Sequence, residues 1–202
     1  MSRKRNHWLS MWGSPRATVR EIANSNPRYG VFYLVAVFML QNLFFYAHWW
    51  SLGINTSTFS VILAAVILSP FLGMAWVYFA GWIFYFTGRW LNGKAPAPSL
   101  RAALAWSKIP VIFNLLMWII LLILHPKTAF VLKNEGSSII WINFVNFATG
   151  IWSFLLLVQS IREIQHFSIG RSIINIVMGW VIYFLFIMIF SILFRYLYLV
   201  SV

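Results

Sequence analysis

Side chains able to move a proton, hold a metal ion or attack a substrate are few in this sequence, and they are scattered. The four histidines, His7, His48, His125 and His166, stand far apart, and the only acids are Glu21, Glu135 and Glu163, with no aspartate and no cysteine. Without cysteine there is no thiol nucleophile, no thiolate metal site and no disulfide. Neither HExxH, GxSxG nor a phosphate-binding loop occurs, and no two carboxylates are paired in sequence. The residues therefore predict a non-enzymatic protein with no catalytic residues, no cofactor and no metal.

Basic side chains are abundant instead. Fifteen Lys and Arg against three acids give a net charge of +12 and a pI near 10.6. Such a balance invites a nucleic-acid partner, but the rest of the composition redirects it. Apolar residues make up 61% of the 202 residues and charged ones 9%, against roughly 45–50% and 25% in soluble domains. That is a membrane composition. The basic residues flank apolar runs instead of lining a groove or a recognition helix, so no nucleic-acid partner is expected. The expected partners are the lipid bilayer, anionic lipids on the cytoplasmic side, and other membrane proteins or a second copy of the chain. Twelve Trp and eight Tyr suit the membrane interfaces.

The elements that must carry these residues follow from the gaps between charges. Sixty uncharged residues separate Arg28 from Arg89, 18 separate Lys108 from Lys127, 26 separate Glu135 from Arg162, and 23 separate Arg171 from Arg195. A helix needs about 20 apolar residues to cross the hydrocarbon, and the polar stretch Gly53 to Thr58 divides the longest run into two. Five spans result, at about 29–50, 58–87, 102–124, 139–161 and 172–196. The predicted fold is all-α: a polytopic integral membrane protein, a five-transmembrane-helix bundle preceded by a short interfacial amphipathic helix. Residues 1–28 form a cytoplasmic N-terminal segment and 29–202 the membrane domain. The long second span is expected to tilt or to break near Pro70 and Gly73. In the third, Pro110 frees the carbonyl of Trp106 and predicts a kink.

Lys and Arg counts set the orientation. Arg3, Lys4, Arg5, Arg16, Arg20, Arg28, Arg89, Lys94, Arg101, Lys108, Arg162 and Arg171 fall on one side, and Lys127, Lys133 and Arg195 on the other. The N-terminus is then cytoplasmic and the C-terminus outside. The opening residues lack the apolar core of a signal peptide, so the first span is expected to do the targeting.

Two groups of residues are candidates for function. On the cytoplasmic face, Ser14 is placed as N-cap and Pro15 as first residue of an amphipathic helix over about 15–24, stopped by Asn26-Pro27. Val19, Ile22 and Ala23 share one face and Arg16 and Arg20 another, which suits a helix lying in the headgroup plane. Glu163 is expected to pair with Arg20, Arg89 or Arg101. If Glu21 shares that basic cluster, Arg16, Arg20, Glu21, Arg89, Arg101, Glu163, Phe167 and Arg171 form one interaction patch. With Lys108 counted to the cytoplasmic connection, the spans hold no Asp, Glu or Lys, leaving Asn42, Asn114, Asn143, Asn146, Asn175 and Gln159 as polar groups. Pro70, Pro110, Asn114, Asn143 and Asn146 are the candidate kink and polar positions. Asn143 and Asn146, one turn apart, either line a polar track or bond between helices. Arg195 is placed to snorkel to the far interface.

Four segments together resemble bacterial members of the Yip family, named for Ypt/Rab-interacting proteins. They are Trp12 to Ile22 (WGSPRATVREI) with Asn26-Pro27-Arg28, Thr87 to Lys94 (TGRWLNGK), Ala102 to Pro110 (AALAWSKIP), and Glu163 to Ser168 (EIQHFS) leading to Arg171. The resemblance implies five spans, a cytoplasmic N-terminus and a bacterial cytoplasmic (inner) membrane. Eukaryotic relatives are linked to Rab GTPases, vesicle budding and membrane shaping, and carry a longer cytosolic N-terminal region. For bacterial members the resemblance supplies a fold without a biochemical activity. The expected function is a non-enzymatic membrane-organising or protein-interaction scaffold. The alternative is a small transporter or channel with its pathway near the Pro70 and Pro110 kinks.

Overall fold

The computed structural model describes residues 6–132 and 137–201, and within the second stretch the side chains of 137–139, 194, 195 and 197–201 are left aside. Arg3, Lys4, Arg5, Lys133, Glu135 and the Arg195 side chain thus lie outside the described part. The described residues form helices and connections: α1 (His7–Gly13), α2 (Pro15–Ser25), α3 (Val31–Trp49), α4 (Thr58–Trp90), α5 (Ala97–Trp106), α6 (Ile109–Ile112), α7 (Asn114–Leu124), α8 (Ser137–Gln165) and α9 (Ile169–Ser201), with a 3-10 turn at Leu52–Ile54. Helices α3, α4, α8 and α9 are each long and apolar enough to cross a membrane. Helix α5 and the segment 109–124, bent by 43° at the break between them, pass the same test only as a pair, so the described helices supply four spans, or five if this bent pair is one.

Little drives helices together in lipid except close packing and hydrogen bonds, because lipid tails are as apolar as leucine. Close approach is visible where α3 meets α4: a Cβ on Gly73 would lie 2.5 Å from the carbonyl oxygen of Val35. Contrary to one expectation, α4 does not break at Pro70. It runs unbroken with the proline inside it, and the Ser69 hydroxyl donates to the Val66 carbonyl at 3.3 Å, the group that the missing proline N–H leaves free.

The third span is bent as Pro110 predicts, though the break comes just before the proline. Its discontinuity falls at Ser107-Lys108, and Pro110 opens the next short helix, where a missing N–H costs nothing. At Lys108 the sequence reading of a loop cation, with no lysine inside the spans, is overturned. The Nζ of Lys108 donates to Ser153 Oγ of α8 at 3.4 Å and lies 5.3 Å and 5.8 Å from the rings of Phe38 and Trp76.

The polar groups between helices are tied to one another. The Oδ1 of Asn146 accepts from Gln41 at 3.1 Å and from Asn114 at 2.6 Å, and Thr149 donates to the Oδ1 of Asn114 at 3.0 Å. Gln41 and Asn114 are buried, whereas Asn143 is exposed and stands apart from this knot. A second link joins α9 to α4, where buried Asn175 donates to Thr87 Oγ1 at 2.8 Å. Of the two readings offered for Asn143 and Asn146, interhelical bonding describes Asn146 and no shared track joins the pair.

One end of the bundle gathers α1, α2, the connection 91–96 and the connection 166–168, and is called here the basic end. At the other end, the connection after α7 is pinned to the one after α3. The Gly53 N–H donates to Phe130 O at 2.9 Å, His48 Nδ1 bonds Ala129 O at 2.8 Å, and Leu132 N–H donates to Ser51 Oγ at 3.1 Å. Phe44, Trp118 and Phe130 fill the core beneath.

Candidate interaction site at the basic end

Helix α2 begins where its sequence says, at Pro15, and ends before extended Asn26. Ser14 sits at the N-cap position without making the capping bond; its hydroxyl turns back to Ser10 O at 3.3 Å. Preceding it is α1, and Thr18 bonds Ser10 Oγ at 2.8 Å to close the two into a hairpin. Thr18, Val19 and Ile22 are buried against protein, packed on α5 and α8. The headgroup-plane reading is corrected to that extent: the apolar face of α2 covers the bundle instead of lipid.

Charge fixes the hairpin in place. The Glu163 side chain is 4% exposed, and it binds two guanidiniums from α2: Arg16 Nε at 2.8 Å, and Arg20. Arg16 and Arg20 are one helical turn apart, so both reach one carboxylate. Glu163 lies beyond the apolar run that ends at Ile161. Burial works against its ionisation, but the hydrogen bonds and charges of Arg20 and Arg16 outweigh that and hold its carboxyl below the usual range.

The remaining expected patch residues divide. Phe167 is buried beside this cluster. Glu21 does not share it; its Oε1 lies 3.6 Å from His7 Nε2. Arg89 stands over the Tyr85 ring at 5.0 Å and Arg101 over Tyr78 at 4.3 Å, so neither pairs with Glu163. The stem of Arg101 occupies the space left by the missing side chain of Gly81. Arg171 is exposed at the start of α9.

Two residues outside the expected set do most to shape the end. Gln165 is buried; its Oε1 accepts the Ala95 N–H at 3.0 Å, and its side chain fills the space over Gly88 and Gly93, where any Cβ would collide with it. Trp106 is buried, donates to Tyr29 O at 3.1 Å, stacks on Tyr29 and meets His7 and Trp8 edge-on. Gly30, at φ 71, passes beneath that indole. Helices α4 and α8 close in the same way. The Gly93 N–H bonds Gly88 O at 2.7 Å and the Phe167 N–H bonds Arg162 O at 3.0 Å, with Asn92 and His166 in the left-handed region between. Between α2, 94–99 and 163–166 opens a cleft of about 380 Å³, with Arg20, Lys94 and His166 on its walls and Glu163 at its base.

All four resembling segments therefore converge: α1–α2, the end of α4, α5 and the end of α8 are one assembly. A family model for the Yip1 domain matches residues 9–191, which takes in every one of them. The chain belongs to the Yip1 domain family. It is a multi-pass membrane protein with an all-helical Yip1 domain. No curated protein and no solved structure gives a significant match. Among the described residues of this Yip1 domain no group of three or more His, Asp or Glu is placed to hold a metal ion.

Proposed function

We propose that this Yip1-domain protein is a non-enzymatic scaffold that organises the membrane through protein contacts at its basic end. The proposal places it in a bacterial cytoplasmic (inner) membrane with that end and the N-terminus in the cytoplasm and the C-terminus outside, as the Lys and Arg bias favours. One observation carries the reading. Glu163 spends its charge holding the α1–α2 hairpin, leaving Lys94 and His166 exposed around an open cleft. An acidic protein segment complements that rim. The transport reading draws less support, because α4 passes Pro70 without a break and the membrane-embedded amides bind each other.

Photo-crosslinking from Asn24 and His166, both exposed on the cleft, tests the scaffold in intact membranes. Discrete protein adducts that drop at least about tenfold in Lys94→Glu, and persist in Lys127→Glu at the opposite end, are expected. Identical adducts from both variants would refute it, and so would flux of a solute through proteoliposomes that the same Lys94→Glu change leaves untouched.

A further inference from the structure

Lys108 is the one described lysine that points into the bundle, and among the described residues it has no counter-ion. Both described glutamates are engaged at the basic end, Glu163 with Arg16 and Arg20 and Glu21 beside His7. Its neighbours are Ser153 Oγ and the faces of Phe38 and Trp76. These neighbours set its depth. Phe38 is seven residues inside α3, Ser153 twelve inside the end of α8 and Trp76 fourteen inside the end of α4, which is about 10–20 Å below the helix ends at 1.5 Å per residue. A lone ammonium at that depth is costly, and ionisable residues so placed mark functional positions.

Two cavities lie around it, of which only the smaller is lined by Lys108 itself and the larger by its neighbours Phe38 and Trp76. A small one of about 110 Å³ has Lys108 in its wall with Leu104, Leu157 and Trp180. A larger apolar groove of about 600 Å³ runs between α3, α4 and α9 and is open on its outer side. Trp76 and Tyr183 are walls of both. The larger has the volume of a ligand site and the lining of an acyl-chain channel, with Met39, Leu72, Phe79 and Phe186 along it. The smaller, beside the ammonium, admits a carboxylate but is too confined for a glycerophosphate headgroup.

We propose that Lys108 and this groove form a binding site for a long-chain fatty acid, entered from the bilayer. The carboxylate accepts from the Lys108 ammonium and from the Ser153 hydroxyl, and the chain lies along α3, α4 and α9. The break before Pro110 is what turns Lys108 inward, and Phe38 and Trp76 hold its charge over their rings until an anion replaces them. The site is separate from the cleft at the basic end and does not depend on the scaffold reading.

The test uses the full chain in nanodiscs and a diazirine analogue of palmitate with a free carboxylate. Labelling is expected on peptides of α3, α4 and α9 that line the groove. Unlabelled palmitate should displace it, while hexadecanol should require about ten- to hundredfold more, the range of one charge-assisted hydrogen bond. Lys108→Met should weaken labelling by a similar factor with the melting temperature followed in parallel, and Lys108→Arg should retain most of it. Equal competition by hexadecanol and palmitate in the unaltered protein overturns the proposal, and that comparison stands whether or not Lys108→Met folds. Better displacement by phosphatidylglycerol than by palmitate overturns it too, as does labelling confined to other surfaces.

Discussion

Glu163 binds Arg16 and Arg20 from within the protein, while both arginines remain about half exposed. The asymmetry decides what each is worth. Losing one arginine costs an exposed charge pair, under about 1 kcal/mol, whereas losing the carboxylate removes charge-assisted bonds worth about 1.5–3 kcal/mol. Because the chain has no cysteine, a single Val19→Cys probe beneath α2 reports this directly. Glu163→Gln should raise its maleimide labelling rate about ten- to hundredfold, and Arg16→Ala much less. Acid should open the latch as well. The folded carboxyl titrates below its unfolded value, so its contribution is whole above the unfolded pKa and is lost as pH falls through the folded one. Divided by the rate of a fully exposed reference cysteine, which cancels the shared loss of thiolate, labelling of the probe should therefore rise on acidification, and Glu163→Gln should remove that rise. Equal rates in the two proteins at neutral pH would exclude the latch.

Between elements, small groups and shared amides do the joining. Gly73→Ala puts a methyl group against the Val35 backbone and should cost about 1–3 kcal/mol by overpacking, read as a lower melting temperature in detergent with α3–α4 crosslinks lengthened. Asn114→Leu cuts the knot that joins α3, α7 and α8 through Gln41, Asn146 and Thr149. Its expected cost is smaller, about 0.6–1.7 kcal/mol, and an unchanged melting temperature would show that the knot is incidental. These elements also mark where sequence reasoning stops. Existence and order of the spans follow from charge gaps because a bilayer imposes one length on every crossing. In the unbroken α4 a serine bonds the carbonyl three residues back that Pro70 leaves free, a repair that a proline rule alone does not contain. Lys108 reads as a loop residue because Ser153, Phe38 and Trp76, which hold it inside, are remote in the chain. Glu163 was recognisable as a rare acid needing a basic partner. The expected partner Arg20 does bind it, joined by Arg16, while Arg89 and Arg101 lie over Tyr85 and Tyr78.

For the molecule as a whole, the excess of basic residues is the main sign of orientation. On the proposed topology, an impermeant maleimide applied to intact cells should label Ser57→Cys, at the end away from α1 and α2, and spare His166→Cys. Labelling in the reverse pattern would invert the protein in the membrane and remove the proposed cytoplasmic role of the cleft. The last helix carries a different kind of information. In its first half α9 packs on α4, with Asn175 and Gly179 buried against Thr87 and Phe84. From Phe184 to Leu193 every residue is exposed, and little but the Phe186 contact with Phe79 holds that stretch to the bundle. The stretch from Phe184 to Leu193 thus continues an unbroken helix beyond its packed base. With fewer neighbours to fix it, its tilt is expected to answer a thinner membrane before the tilt of the packed helices does.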